Sequence, residues 1–135
     1  MQQLAADDPR ILFTGFVQGE PLEELFSNAY LFVLPSDLEG MPLALLEAMA
    51  YGNACLVSDI PECTDVAGDA ALVFRRADPD ALRRALQDAC DRPGSLDSLR
   101  AAAPERVRKR FDWDDVVRRT LLAYQGKPDE PPAES

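Results

Sequence analysis

The stretch of sequence that decides the fold is LFVLPSDLEGMPLALLEAMAYG, residues Leu31–Gly52. Its four uninterrupted apolar residues predict a strand covered on both faces, as in a parallel sheet. A helix is predicted to begin near Pro42 and to end at Gly52. Two acids accompany this helix: Glu39 lies in the loop before it and Glu47 within it, with seven residues between them. The stretch therefore predicts a strand, an acidic loop and a helix.

Predicted strands and helices alternate on both sides of this stretch. Apolar runs predict strands at Arg10–Val17 (ending at Gly15), Leu31–Leu34, Ala54–Ser58 and Ala70–Phe74. Proline starts and helical spacing predict helices at Met1–Asp8, Pro21–Tyr30, Met41–Tyr51, Pro61–Ala67 (a short helix or a turn), from Asp78 onward, Leu96–Arg110 and Asp112–Gln125. The alternation predicts an α/β fold with a parallel sheet, right-handed crossovers and C-terminal helices.

The composition restricts the kinds of chemistry that the chain can support. A length of 135 residues with 47% apolar content suits one compact domain. A net charge of −10 argues against nucleic acid as a partner, because phosphate backbones need a basic surface. The absence of histidine from the sequence excludes Ser-His-Asp chemistry and most zinc sites.

The sequence also predicts a compartment. Cys55, Cys63 and Cys90 have no CxxC spacing, which favours a reducing compartment and small buried thiols. No apolar run approaches the roughly 20 residues that span a bilayer, and the polar start MQQLAADDPR is unlike a signal peptide. We expect a cytoplasmic protein, with peripheral binding at the inner face of the membrane left open.

The start of the predicted helix offers a site for an anion. Its first amides lack helical acceptors, and its dipole places positive charge at the same end. The amides of Gly40, Met41 and Leu43 are candidate donors to a phosphate, whereas Pro42 has no N–H. A glycine at position 40 would let the backbone approach a ligand closely.

Each acid has two interpretations. Glu39 can accept hydrogen bonds from sugar hydroxyls beside the amides, or it can help to cap the helix. Glu47 lies about 7–8 Å further along the helix and can accept both hydroxyls of a ribose, or it can be an ordinary solvated residue. Its apolar neighbours in sequence favour a partner or ligand for Glu47.

The sequence resembles a known family in this region. SDLEGMPLALLEAMAYGNACLVSD is similar to the donor-site signature of retaining glycosyltransferases with the GT-B fold, of the family 4 type (group 1 glycosyl transferases). The signature residues are Ser36, Glu39-Gly40, Glu47-Ala48-Met49-Ala50 and Gly52. ILFTGFV, IPECTDVAGDAALVF and KRFDWDDVVRRTLLAY resemble further segments, so the match extends from about Pro9 to Tyr124.

The resemblance implies a role for each matched position. Glu39 would be catalytic and contact the donor sugar near its reacting carbon, and Ser36 would belong to the donor site. The diphosphate and sugar would be held by amides at Gly40, Met41 and Leu43, the ribose by Glu47, and the base by Phe16 and Val17. The donor would be a UDP- or GDP-linked sugar, with no metal and no resident cofactor.

The resemblance covers only the last part of a two-domain enzyme. Residues 1–125 would form part of the C-terminal nucleotide-sugar-binding domain, and residues 126–135 a disordered tail. In the strand order 3-2-1-4-5-6, Arg10–Thr14 would be strand 3 and Leu31–Leu34 strand 4. The two strands that separate them are not encoded. The sheet then has a gap, or strand 3 pairs with strand 4, or another chain fills the space.

Three functions remain open at this point. The first is the donor-site part of a retaining glycosyltransferase, inactive alone, whose N-terminal domain is missing and whose acceptor is a glycan, a lipid or a small molecule. The second is a non-catalytic nucleotide-sugar-binding or assembly module that a partner chain completes. The third is a vestigial, truncated open reading frame without a stable fold.

Overall fold

A computed structural model describes residues 8–127 together with Ala5, and in it helices and strands alternate. The elements are α1 (Glu20–Asn28), β1 (Phe32–Leu34), α2 (Leu43–Ala50), β2 (Cys55–Ser58), α3 (Pro61–Ala67), β3 (Leu72–Phe74), α4 (Pro79–Asp91), a 3-10 turn (Pro93–Leu96), α5 (Asp97–Arg110) and α6 (Trp113–Tyr124). The α/β class is confirmed. The predicted Met1–Asp8 helix lies almost wholly outside the described residues, as does the predicted disordered tail beyond Lys127.

The strands form one parallel sheet. In the described part of the chain it has three strands in the order β1-β2-β3. Leu34 of β1 lies opposite Val57, and Ser58 of β2 lies opposite Phe74 of β3. The carboxyl ends of the strands therefore meet at one edge. All four residues of β2 are buried, as the uninterrupted apolar run predicts.

The strand predicted within Arg10–Val17 is wrong. Among the residues described here, Arg10–Thr14 belongs to no strand, and Leu12 is 81% exposed. An extended segment becomes a strand only when a neighbouring strand accepts its backbone hydrogen bonds. Among the described residues no strand lies beside this segment, and it does not pair with β1. The edge of β1 is therefore open within the described chain, which removes the alternative that strand 3 pairs with strand 4.

Helices cover both faces of the sheet. On one face the core comprises buried residues of α2, β2, α3 and α5, among them Leu45, Met49, Val57, Cys63 and Ala103. On the other, Ala89 of α4 and Leu96 pack beside Ala54. Burial raises the pKa of Cys55 to about 12, so this thiol behaves as an apolar core group. Cys90 is exposed, so the prediction that it is buried is wrong.

Helix α6 presents apolar side chains to solvent. Trp113 is 76% exposed and Tyr124 87%, and Val116, Val117 and Leu121 are exposed as well. Asp112 caps this helix by accepting a hydrogen bond from the amide of Asp114. The sequence thus specifies a capped amphipathic helix whose apolar side stays uncovered in the described chain. No helix within residues 8–127 combines the length and apolar character that crossing a bilayer requires.

A buried asparagine joins two helices to the central strand. Asn53 precedes β2 and is 4% exposed. Its Nδ2 donates to the carbonyl of Phe26 in α1 at 2.9 Å and to that of Ala48 in α2 at 3.0 Å. Both carbonyls lie in the last turns of their helices, where helical donors run out. Asn53 thus fixes the ends of α1 and α2 against the amino end of β2.

Replacing Asn53 by alanine tests this arrangement. We expect Asn53→Ala to lower the free energy of unfolding by about 2 kcal/mol, because the Phe26 carbonyl loses its side-chain donor; the Ala48 carbonyl keeps the backbone amide of residue 53 as a donor. Asn28→Ala is the matched control, since its Nδ2 also donates to a helix carbonyl, that of Glu24, but at an exposed position. It should cost less than about 0.5 kcal/mol. Urea unfolding curves measure both, and equal losses would contradict the role given to Asn53.

Candidate functional site

The loop between β1 and α2 lies at the edge of the sheet where ligands bind in open α/β folds. This loop, 35–42, begins directly after β1. The carboxyl end of β2 is its neighbour, because the Ser58 hydroxyl donates a hydrogen bond to the Ser36 carbonyl. The prediction that this loop lies at the carboxyl end of a strand in a parallel sheet is therefore confirmed.

Glu39 is held in a defined position within this loop. Ser36 Oγ donates to Glu39 Oε1 at 2.5 Å, and both residues are half-buried. Burial raises the pKa of the Cys63 thiol in α3, and the negative charges of Glu39 and Glu62 raise it further. Within the described region, no side chain caps α2. Glu39 is thus not a helix cap, which was one of its two interpretations.

The backbone at the start of α2 leaves several amides free. The Leu43 amide donates to the Met41 carbonyl at 2.8 Å, so this predicted phosphate donor already has an acceptor. Among the described backbone groups, the amides of Gly40, Met41 and Ala44 have no hydrogen-bond acceptor. Ala44 is an addition that the sequence did not suggest. Pro42 is the N-cap residue, so the helix begins at Leu43 and Ala44 is its second residue. The amide of Ala44 is therefore among those that lack a helical acceptor.

Glu47 lies on the outer side of α2. Its sequence neighbours Leu45, Ala48 and Met49 are buried beneath the helix, whereas Glu47 is exposed. Its carboxylate has no hydrogen bond or ion pair with any residue in the range 8–127. The apolar neighbours therefore do not desolvate Glu47, so they are no reason for it to need a partner. Its carboxylate remains accessible to a ligand.

Phe16 and Val17 are the residues predicted to hold the base. Phe16 is 89% exposed, and Val17 lines a groove of about 740 Å³ beside α1 and residues 31–33. Residues 31–33 lie at the start of β1, whereas the site loop follows its carboxyl end. Neither Glu39 nor Glu47 lines this groove. The base-binding role of Phe16 and Val17 stays a prediction.

Nothing in the described fold requires a glycine at position 40. A Cβ at Gly40 would meet no described atom within 4 Å. Gly68 differs, because its φ is +56° and a Cβ there would collide with the Arg106 guanidinium. That guanidinium donates to the carbonyls of Asp65 and Val66, at 2.8 and 2.5 Å, and closes α5 onto α3. The space at Gly40 is thus open to a ligand, while the space at Gly68 is filled by the fold.

Residues 8–127 contain no group of three or more Cys, Asp or Glu side chains placed to hold a metal ion. The polar groups of the site are instead one fixed carboxylate, one exposed carboxylate and the free amides at the start of α2. Carboxylates bind hydroxyl groups, and amides at a helix start bind phosphate oxygens.

The fold is that of a GT-B glycosyltransferase. The structure is similar to sucrose-phosphate synthase from Thermosynechococcus elongatus, with a TM-score of 0.79 and 27% sequence identity. The match covers 93% of this chain and 32% of that protein. Sequence comparison is more specific: the family described as "Glycosyl transferases group 1" matches residues 1–92. The chain belongs to this family.

Two mannosyltransferases are among its curated relatives. O-antigen chain mannosyltransferase B of Escherichia coli is 35% identical over 122 residues, which is 85% of this chain and 30% of that protein. The MMP alpha-(1->4)-mannosyltransferase of Mycolicibacterium hassiacum is 31% identical over 109 residues, 78% of this chain and 26% of that protein. The chain thus spans less than a third of the length of these relatives.

The two glycines give a matched pair of substitutions. Gly68→Ala should lower the free energy of unfolding by about 1–3 kcal/mol, because its backbone is left-handed and Arg106 must move. Gly40→Ala should change it by less than about 0.5 kcal/mol. Chemical denaturation measures both. A destabilising Gly40→Ala would show that the fold itself needs this glycine, whereas a stable variant lets any loss of ligand binding report on the site.

Proposed function

We propose that this chain supplies part of the donor site of a retaining, family 4 type glycosyltransferase and binds a UDP- or GDP-linked sugar. The observation that carries the proposal is the Glu39 carboxylate, fixed by Ser36 beside the free amides at the start of α2. Glu47 stands further along the same helix. Membership of the group 1 family supports this function, and the residue roles are our proposal.

The amides and the helix dipole provide the chemistry for the diphosphate. The free N–H groups of Gly40, Met41 and Ala44 lie at the positive end of the α2 dipole, so they can donate hydrogen bonds to an anion there. When the sugar leaves its diphosphate, negative charge grows on the phosphate oxygens, and these donors stabilise it without reorganising. Leu43 can contribute once its amide leaves the Met41 carbonyl. In this proposal the charge is neutralised without a metal ion or cofactor.

The carboxylates orient the two ends of the donor. Glu39 accepts hydrogen bonds from sugar hydroxyls near the reacting carbon, and Glu47 accepts those of the ribose. Phe16 and Val17 contact the base in this proposal. We propose that residues outside this chain supply the acceptor wall and the basic groups. On this basis the chain alone is inactive.

The names of the relatives suggest the first sugar to test. Both relatives compared above are mannosyltransferases, so mannose is our proposed donor sugar and GDP-mannose the first probe. The acceptor is a glycan, a lipid or a small molecule. The proposed location is cytoplasmic or peripheral to the inner face of the membrane.

A second candidate is a nucleotide-sugar-binding module that a partner chain completes. The open edge of β1 favours it, because an unpaired strand edge invites a further strand. The Phe32 amide donates to the carbonyl of Ala54, just before β2, so the next amide, that of Val33, faces away from β2. Apolar Ile11, Leu12 and Phe13, earlier in the chain, are exposed as well. These uncovered groups suit a protein surface.

Calorimetric titration with GDP-mannose and UDP-glucose tests donor binding. We expect one of them to bind, and Glu39→Gln and Glu47→Gln each to weaken binding at least about tenfold, because a hydrogen bond to a charged group is lost. Glu23→Gln on the exposed side of α1 is the control and should leave affinity unchanged. Equal affinities in all variants would contradict the roles of both acids. Sugar transfer by the chain alone would contradict its proposed inactivity.

Amide hydrogen exchange tests the open edge. In the monomeric chain we expect the Val33 amide to exchange at least about a hundredfold faster than the Leu56 amide, because Leu56 lies in the central strand. NMR exchange measures both rates, and sedimentation confirms the monomer. A protected Val33 amide in a monomer would show that the edge is covered. Uniformly fast exchange would instead support a chain without a stable fold.

A further inference from the structure

We propose that Ser58 is a positioning residue for Glu39 and acts through Ser36. The proposal rests on the donor-site function given above to Glu39. It adds a residue that lies outside the loop and touches no donor in that function. Two hydrogen bonds make this connection: the buried Ser58 hydroxyl donates to the Ser36 carbonyl, and the Ser36 hydroxyl donates to the Glu39 carboxylate.

Ser58 is the rigid end of this connection. It is the last residue of β2, is 1% exposed, and stands in register with Phe74 of β3. The next amide, that of Asp59, donates to the Phe74 carbonyl at 2.9 Å. Strand pairing thus fixes the backbone on both sides of the Ser58 side chain. A hydroxyl on such a scaffold can hold a flexible neighbour with little loss of its own freedom.

The loop is the other end of this connection, and it has no strand or helix pairing of its own. Ser58 Oγ donates to the Ser36 carbonyl, which lies 22 positions earlier in the chain. Ser36 Oγ in turn donates to Glu39 Oε1 at 2.5 Å. Asp37 and Leu38 between them are exposed, so they provide little packing to hold the loop. Two consecutive hydrogen bonds therefore transmit the position of β2 to the carboxylate.

A buried serine can also be a core residue whose hydroxyl merely needs an acceptor. The two roles predict different results. If the Ser58 hydroxyl merely needs a hydrogen-bond acceptor inside the core, Ser58→Ala lowers the free energy of unfolding and leaves the Glu39 rotamer unchanged. If Ser58 positions the loop, Ser58→Ala releases Ser36, and the Glu39 side chain samples several rotamers while the protein stays folded.

The first experiment needs no donor. Three-bond NMR couplings report the χ1 rotamer of Glu39 in the full chain and in Ser58→Ala, Ser36→Ala and Ser58→Thr. We expect one rotamer in the parent and in Ser58→Thr, which keeps the hydroxyl, and averaged couplings in the two alanine variants. Ser95→Ala is the matched control, since Ser95 Oγ also donates to a carbonyl, that of Arg92, away from the site. Unchanged Glu39 couplings in Ser58→Ala would overturn the proposal.

Ser36→Ala keeps the proposal falsifiable if Ser58→Ala does not fold, because it removes the bond to Glu39 and retains the carbonyl that Ser58 contacts. A single Glu39 rotamer in Ser36→Ala would overturn the transmission through Ser36. Averaged couplings would support it.

The second experiment measures donor affinity by titration with GDP-mannose. Ser58→Ala should weaken binding about threefold to tenfold, the value of one neutral hydrogen bond. Ser36→Ala and the double variant should lose no more than this, because the two residues act in series. If the double variant lost the sum of the two single losses in binding free energy, the proposal that Ser58 acts through Ser36 would be overturned. If no variant changes affinity while the Glu39 couplings change as expected, the donor-site function fails and the positioning role of Ser58 stands.

Discussion

The structure depends on the burial of β2. Within the described chain this strand alone has a parallel neighbour on each side, and its four residues are buried. The two buried polar side chains of the described region, Asn53 and Ser58, stand at its two ends. Asn53 holds the ends of α1 and α2, and Ser58 holds the loop that carries Glu39. A single strand thus organises helix packing at one end and the site at the other.

The same geometry leaves one edge of the sheet open. Helices cover both faces of the sheet, but the outer edge of β1 has no neighbour among the described residues. Apolar Ile11 and Leu12, earlier in the chain, are exposed as well. The sequence carries 24 acidic side chains against 14 basic ones, which gives the net charge of −10. In the proposed function, residues outside this span supply a further strand and the basic groups; the span itself is 30% of the length of one relative.

The sequence predicted those elements whose causes are local. Apolar runs located β1 and β2, and Asp78 caps α4 through the Ala81 amide as its position before a proline suggests. The prediction failed at Arg10–Thr14, because a strand needs a partner that no local pattern supplies. The argument from the apolar neighbours of Glu47 failed for a related reason: those neighbours lie on the opposite side of the helix, and the ribose-binding role of Glu47 stays a prediction. Ser58 was overlooked because a serine that ends an apolar strand has no distinctive spacing.

The two acids differ in how firmly the fold holds them, and this difference suits their proposed roles. A group that acts near a reacting carbon loses rate when it is displaced by an ångström, so it benefits from fixed geometry. Glu39 has that geometry through Ser36, at 2.5 Å. A carboxylate that accepts two ribose hydroxyls only anchors the donor, and an exposed side chain can adapt to them. In the proposed roles, the firmly held Glu39 therefore lies beside the sugar, and the exposed Glu47 can adapt to the nucleoside.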